Sequence, residues 1–312
     1  MIDIVVGGQY GSEGKGKVAY CLAEASEHKC IIRTGGCNSG HTVNGEILRC
    51  LPSSVLLKGS KSVLGAGSYI DLDVLFNEID RFKPEFLYID EKATIITGKE
   101  RDTLRTSIGS TLSGTGYAVK ERVERTKAVL ARDIKRLSPY LCTTEQIHEL
   151  ISNGAVIEGT QGFGLSLLHT PYFPFCTSRD TTSSSLASEV GISPKDVGNI
   201  YLVIRSFPIR VAGNSGPLPY ETTWEEIGID REITSVTKKV RRVAYFDPEI
   251  VKLAIKVNKP DFIVLNHLDY IKENKQKSFV RDVEKKLGRE IDYLGLNKLD
   301  IITKRLFNSF FI

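Results

Sequence analysis

The sequence predicts an α/β protein with a large, mostly parallel central sheet flanked by helices on both faces. Short apolar runs recur at Ile2–Val6, Cys30–Arg33, Phe86–Ile89, Ala155–Ile157, Ile200–Ile204 and Phe262–Leu265, each too short for a helix and suited to a buried strand. Between them lie stretches that read as helices: Lys15–Ser26, Leu72–Phe82, Ala118–Val129, Thr144–Ser152 and Pro248–Val257. Strands alternating with helices imply parallel pairing with both sheet faces covered. The first run, β-branched and ending in glycines, feeds a glycine loop and then a helix.

The chain of 312 residues allows one large or two medium domains. With no internal repeat and no low-complexity linker, residues 1–312 are expected to form one domain. The Ser/Thr-rich piece Thr177–Ser185 could be a linker on composition alone, but it follows a glycine-rich strand end and reads better as part of the domain. A hydrophobic content of 41% and a charged content of 26% are those of a globular protein. The net charge of +4 suits anionic substrates without arguing for nucleic acid as a partner. The six cysteines (Cys21, Cys30, Cys37, Cys50, Cys142, Cys176) form no Cys-x-x-Cys pair, so reduced thiols are expected and a zinc site is not. The start MIDIVVGG does not read as a secretory leader, and no window approaches the roughly 20 apolar residues of a membrane span. A cytoplasmic protein with no membrane partner is therefore expected.

Six segments carry candidate chemistry. Gly11–Lys17 (Gly11, Ser12, Glu13, Gly14, Lys15, Gly16, Lys17) has the spacing of a nucleotide-triphosphate loop, whose backbone N–H groups cradle phosphate oxygens beside a lysine. The next residue is Val18, where that loop wants a metal-binding hydroxyl, and a tight strand-to-helix turn is the competing reading. RTGGCNSGHTVN, residues 33–44, follows the second strand and offers Asn38, His41 and Thr42, His41 being either a donor to a phosphoryl oxygen or a surface histidine in a turn. In residues 109–125 the hydroxyls of Ser110 and Thr111 could hold a phosphate, while Arg122 and Arg125 lie on a helix that could equally be a solvated face. EGTQGFG, residues 158–164, presents the Gln161 amide, suited to a purine edge, and is followed by PFCTSRDTT at 174–182. The cationic run within residues 235–247 could clamp a dicarboxylate or phosphate, or be a solvated face or nucleic-acid patch. In VLNHLDYI, residues 264–271, a strand delivers Asp269 to the sheet edge, where a carboxylate can meet the donor edge of a base.

Taken in order, these segments resemble adenylosuccinate synthetase. The family's G-D-E-G-K-G-K appears as Gly11–Lys17, its N-A-G-H-T as Asn38–Thr42, and its G-T-T-G-R-G-I-G as Gly109–Gly116. Its E-G-A-Q-G appears as Glu158–Gly162 and its K-L-D as His267-Leu268-Asp269. The resemblance implies the P-loop-NTPase-like fold of that family and a ligase that joins aspartate to purine C6 through a 6-phosphoryl intermediate. It implies that Gly11–Lys17, Gly40, His41, Thr42, Arg241, His267, Leu268 and Asp269 hold the triphosphate, with Mg²⁺ as cofactor on Ser12 and the Gly40 carbonyl. Ser12, Glu13, Asn38, Ser110, Thr111, Gln161, Thr177 and Lys239 would bind the monophosphate. Arg125 would reach that phosphate from the second subunit of a homodimer. Ser235, Val236, Thr237, Lys239 and Arg241 would bind aspartate, and the catalytic set would be Ser12, His41 and Gln161.

The sequence departs from the family at one informative place. The family's loop aspartate, which takes the N1 proton and ligates Mg²⁺, is Ser12 here, and a hydroxyl of ordinary pKa is a poor base. A guanine carries a 2-amino group beside N1, and a shorter side chain leaves room for it. This is similar to a phage-associated branch, the 2-aminoadenylosuccinate synthetases, implying dGMP, L-aspartate and ATP or dATP as substrates. Lys239 stands at a family arginine that touches aspartate and the ribose, and Arg→Lys loses a fork of donors. His267 stands at a family lysine beside the guanine of GTP, and the family's C-terminal S-T-G-P is replaced near Gly295-Leu296-Asn297-Lys298. Two alternatives remain at this point: an ordinary adenylosuccinate synthetase using inosinate and GTP, and a nucleotide-binding regulator without ligase activity.

Overall fold

A computed structural model describes residues 1–27, 29–98, 113–234 and 238–310. In chain order its helices are α1 (Lys15–Ala25), α2 (Leu72–Phe82), α3 (Thr115–Glu124), α4 (Thr144–Ile151), α5 (Ser183–Val190), α6 (Trp224–Ile227), α7 (Pro248–Asn258), α8 (Glu273–Leu287) and α9 (Lys304–Ser309). The long strands are β1 (Ile2–Gly7), β2 (Cys30–Gly36), β5 (Lys61–Ile70), β6 (Phe86–Asp90), β10 (Ala155–Glu158), β11 (Val197–Arg205) and β15 (Phe262–Asn266). Shorter pieces are β3 (His41–Val43), β4 (Glu46–Leu48), β7 (Thr94–Ile95), β8 (Val129–Leu130), β9 (Leu141–Cys142), β12 (Ile209–Arg210), β13 (Glu221–Thr222), β14 (Arg242–Ala244), β16 (Tyr293–Leu294) and β17 (Ile302–Thr303).

The central sheet has twelve strands, ordered β17-β16-β15-β11-β1-β10-β2-β5-β6-β9 with β7 and β8 off that path. Its pairings are parallel except β16–β17 and β7–β8. Strand β1 lies in the middle, with Ile4 opposite Ile157 of β10 and Ile200 of β11. Both faces are apolar and alternate as the pleat demands. Ile4, Val6, Ile157, Leu202, Ile263 and Leu265 face one layer, containing α5, α7 and α8. Val5, Val156, Val203 and Val264 face Val18, Ala19 and Ala23 of α1 on the other.

Two sequence readings, of helix α3 and of the cysteines, are corrected here. Helix α3 runs over Thr115–Glu124 rather than Ala118–Val129, because Arg125 turns left-handed (φ 59°) and Val129 belongs to β8. The Ser/Thr-rich segment is no linker: Thr182 caps α5 by accepting from the Ser185 N–H, and Ser183, Leu186 and Ala187 are buried. The cysteines are not all free, since Cys37 at the end of β2 and Cys50 beyond β4 are joined as a disulfide across 13 residues. The β3–β4 hairpin folds the chain back and brings their Cα atoms to 4.9 Å, a closeness the spacing alone does not reveal. Among the described residues no helix is long and apolar enough to cross a membrane.

Candidate active site

The turn after β1 is held from within by Glu13. Its carboxylate is fully buried: Oε1 accepts the N–H groups of Gln9 (3.1 Å) and Gly11 (2.8 Å), and Oε2 pairs with Lys15 at 2.6 Å. Asn266, at the end of β15, donates to the Glu13 carbonyl at 2.9 Å. Gly11, Ser12 and Gly14 all take positive φ, and a Cβ on Gly14 would stand 2.6 Å from Asn266 Nδ2, so the turn needs glycine there for both reasons. Gly14 puts no side-chain cap on α1, leaving the first-turn N–H groups to an anion in the cleft. Lys17 takes another direction. Its Nζ donates to the Asn297 carbonyl at 2.9 Å, and burial lowers its pKa.

Beside that turn lie the buried Arg33 and Glu158 with the half-buried His41. Arg33 N–H donates to Glu158 Oε1 at 2.5 Å and to His41 Nδ1 at 2.6 Å, while its second terminal nitrogen donates to the Ser39 carbonyl at 2.7 Å. Glu158 Oε2 accepts from the Ser53 N–H and hydroxyl at 2.9 and 2.7 Å. Because arginine only donates, His41 Nδ1 must accept, which places the neutral ring's proton on Nε2. That atom lies 3.2 Å from Glu158 Oε1 without a hydrogen-bond partner among the described residues. Burial and the Arg33 charge lower the His41 pKa to about 3, so the ring is neutral at physiological pH. The ring rests on α1, where a Cβ on Gly16 would be 2.7 Å from its Cδ2.

The opposite wall is built from β11 and from residues 232–234 and 238–241. Arg205, fully buried, donates to the Ser12 carbonyl at 2.9 Å and pairs with Glu232. Glu232 also accepts from the Tyr270 hydroxyl at 2.9 Å and lies 3.8 Å from Arg241 Nε. Burial opposes ionisation of Glu232, but Arg205 overrides it and brings the pKa down to about 2. His267 is left-handed at the end of β15, hydrogen-bonded to the Ser12 backbone, with its pKa held well below normal by burial and by Arg205. Arg210 stacks over the Tyr10 ring at 4.7 Å and donates to the Phe175 carbonyl at 2.7 Å.

These walls enclose a cleft of about 690 Å³ outside the carboxyl ends of β1, β2, β10, β11 and β15. Of the expected site residues, Gly11, Ser12, Gly14, Lys15, Gly16, Asn38, Gly40, His41, Thr42, Gln161, Thr177, Arg241 and His267 line it. Glu13, Lys17 and Leu268 are buried beneath or beside it, and Asp269, Arg125 and Lys239 are exposed outside its lining. Ser110, Thr111, Ser235, Val236 and Thr237 lie outside the described residues. Sequence reasoning overlooked Arg33, Glu158, Arg205 and Glu232. The first three share a signal: each is a charge ending an apolar run of sequence (Cys-Ile-Ile-Arg, Ala-Val-Ile-Glu, Leu-Val-Ile-Arg), towards the carboxyl side of the sheet where ligands bind.

A glycine turn feeding a helix, at the carboxyl ends of parallel strands and ringed by arginines and lysines, defines a phosphate-binding α/β protein. Comparison with known proteins is specific. A profile of the adenylosuccinate synthetase family matches residues 4–135 and 128–279, and the chain belongs to that family. It is 39% identical to the adenylosuccinate synthetase of Pyrococcus sp. (strain ST700) over 91% of this chain and 92% of the relative. The Methanocaldococcus jannaschii adenylosuccinate synthetase is 37% identical over 91% of each chain. Among solved structures, the cyanophage S-2L succinoaminodeoxyadenylate synthetase (PurZ), bound to dGMP and dATP as an energy donor, superposes with a TM-score of 0.86 at 25% identity, covering 97% of this chain and 95% of that one. The Plasmodium falciparum adenylosuccinate synthetase shares the fold with the same TM-score of 0.86 at 21% identity, covering 97% and 99%. The chain is accordingly a C–N ligase of the adenylosuccinate synthetase type with that family's P-loop-like fold.

Proposed function

We propose that this ligase joins L-aspartate to C6 of dGMP at the expense of ATP or dATP, giving N6-succino-2-amino-2′-deoxyadenylate for diaminopurine DNA synthesis. The observation that carries the reading is Ser12, a neutral residue lining the cleft where the family places a carboxylate. Its left-handed backbone, φ 57°, is one that aspartate tolerates well, so the conformation does not explain the serine. Accommodation of a 2-amino group does. The cyanophage relative holding dGMP and dATP supports the same reading. A second reading, inosinate with GTP, is favoured by the archaeal relatives at 37–39% identity, which are adenylosuccinate synthetases.

In the proposed reaction O6 of the purine takes the γ-phosphoryl group as the N1 proton is lost and the nucleoside diphosphate leaves. The aspartate amine then attacks C6, phosphate leaves, and the new nitrogen gives up a proton. Residues Gly11–Lys17 and Gly40–Thr42 hold the triphosphate, and the neutral His41 offers its Nε2 proton to the moving phosphoryl group as a hydrogen-bond donor. Asn38, Ser110, Thr111, Gln161 and Thr177 hold the monophosphate. Lys239, Arg241 and residues 235–237 close on aspartate, and Arg125, exposed at the end of α3, reaches across a homodimer. His267, half-buried and neutral, cannot offer the charge of the family's lysine to a guanine, which favours ATP or dATP as donor.

The donor set suits Mg²⁺ carried by the nucleotide. The Glu13 carboxylate is already committed to Gln9, Gly11 and Lys15, and the Ser12 hydroxyl and the Gly40 carbonyl, both at the cleft, would be the protein ligands. Mg²⁺ takes one or two protein ligands beside phosphate oxygens and water, which matches so sparse a set. Bound there, the ion would neutralise charge on the triphosphate.

The test is an assay of purified protein with dGMP or inosinate against ATP, dATP and GTP. Aspartate-dependent product from dGMP is expected, and turnover of inosinate alone would overturn the proposal. Ser12→Asp should lower kcat/KM for dGMP by roughly 5- to 150-fold, about 1–3 kcal/mol for a mispaired polar group. Unchanged or improved dGMP turnover would remove Ser12 as the specificity residue.

A further inference from the structure

We propose that Glu232 is a positioning residue that ties the aspartate-facing segment to the nucleotide turn, so that the purine nucleotide and aspartate each strengthen the other's binding. The inference rests on the functional reading above.

Two observations carry it. The first is the pairing of Glu232–Thr234 with Lys239–Arg241, which carry two of the residues that would bind aspartate. The Arg241 N–H donates to the Glu232 carbonyl and the Thr234 N–H to the Lys239 carbonyl, both at 2.9 Å, and Ile233 bridges Val240 in antiparallel fashion. This two-stranded pairing sets Glu232 directly beside Arg241. The second is where the Glu232 side chain goes. It turns inward to Arg205 and Tyr270, with Arg241 Nε 3.8 Å from its second oxygen.

Arg205 is fully buried, and a buried guanidinium requires a paired carboxylate. Glu13 is occupied elsewhere, so Glu232 supplies the pairing charge from 27 residues away. The same guanidinium donates to the Ser12 carbonyl, and the Arg205 backbone is clamped on both sides by the Gln9 amide (2.8 and 3.2 Å). Serine in a left-handed conformation is strained and persists when its surroundings fix it. Arg205, anchored by Glu232, is one of the groups that fix it. A chain of contacts thus runs from Ser12 through Arg205 and Glu232 to Arg241, joining a group that faces the purine to one that faces aspartate. Whatever seats one end biases the other, and by linkage the effect is reciprocal.

The experiment compares Glu232→Gln with wild type. The amide retains size and acceptors for Arg205 and Tyr270 but removes the charge. Aspartate affinity is measured with and without saturating purine monophosphate (dGMP and inosinate in separate arms) plus a non-hydrolysable ATP analogue, alongside KM and kcat and thermal unfolding. Wild type is expected to bind aspartate roughly 5- to 150-fold more tightly with nucleotides present. In Glu232→Gln that ratio should fall towards one, with the aspartate KM rising more than kcat falls. Glu232→Asp, which keeps the charge but withdraws it by one methylene, should give an intermediate ratio and serves if the glutamine variant fails to fold. A merely structural role would lower the melting temperature and leave the ratio untouched, which overturns the proposal. Wild type that forms no aspartate adduct of either purine overturns the functional reading and this one together. Wild type that forms it, with the ratio unchanged in the variants, overturns this one alone.

Discussion

Replacing Glu158 by glutamine tests the buried group that holds His41 and the phosphate-side loop. Glu158 is 1% exposed and Arg33 4%, so the pair is shielded from solvent. Its carboxylate takes Arg33 at 2.5 Å and two donors from Ser53 at 2.9 and 2.7 Å. Glutamine can still accept from Ser53 but leaves the Arg33 charge without a counter-ion, a change worth about 3–5 kcal/mol for a broken buried pair. At about 2 °C per kcal/mol for a chain of this size, the melting temperature should fall by about 6–10 °C in a thermal unfolding scan. Arg33 also holds the Ser39 and Arg49 carbonyls at 2.7 and 3.3 Å, which flank Gly40–Thr42. The KM for the triphosphate should therefore rise in the same variant. Replacing both charges, Arg33→Met with Glu158→Leu, should recover much of the lost stability but not the KM. A melting temperature for Glu158→Gln within about 2 °C of wild type, less than 1 kcal/mol, would refute the claim that Glu158 carries the Arg33 charge.

Further outcomes follow from the same structure. His41 has a folded pKa of about 3 against an ordinary 6.5, so the unfolded chain binds the extra proton between those values. Its contribution to stability is complete above pH 6.5 and lost as pH falls towards 3, by up to about 1.4 kcal/mol per unit, and His41→Gln should flatten that part of a stability–pH profile. Reducing the Cys37–Cys50 bond, which closes a separation of 13 residues, should cost about 3 kcal/mol on the loop-entropy account. Melting scans with and without a dithiol, using Cys37→Ser as control, check it. A Cβ on Gly162 would lie 2.5 Å from the Gln9 carbonyl oxygen and the Gly11 nitrogen, both backbone atoms. Gly162→Ala should therefore distort the phosphate turn and abolish nucleotide-induced stabilisation in a thermal shift assay.

Much of the architecture was legible because parallel strands buried on both faces leave plain apolar runs, as in Ile2–Val6 and Phe262–Leu265. Strand β5 was not, because Gly65 and Gly67 make its sequence read as a loop. Those glycines serve packing: a Cβ on Gly67 would meet Glu189 Cγ of α5 at 2.6 Å. Helix α8 was passed over because its charges hide a regular buried stripe, Gln276, Val280, Val283 and Leu287. In the site, residues of the contiguous segments Gly11–Gly16, Asn38–Thr42 and Glu158–Gln161 line the cleft, while residues 109–112 lie outside the described residues. Lys17 and Glu13 were not separable from Lys15 by sequence, since which side chain of a turn faces the cleft depends on Asn266, Asn297 and Gly162, all far along the chain. The supporting charges were hidden for the opposite reason, because a buried arginine or glutamate after an apolar run acquires its role from a partner elsewhere in the chain, 125 residues away for Arg33 and Glu158 and 27 for Arg205 and Glu232.

The central position of β1 bears on how the protein is made. The segment carrying the phosphate turn leaves the ribosome well before its neighbours in the sheet, Ala155–Glu158 and Val197–Arg205. At about 5–20 residues per second, Ile2–Gly7 waits roughly 8–30 s for its first partner strand and longer for its second. During that interval a strand with both faces apolar is exposed, and the turn behind it has no sheet to be anchored on. Ribosome-stalled chains ending before β10 should accordingly lack nucleotide binding, and vectorial synthesis makes this N-terminal motif one of the last to become functional.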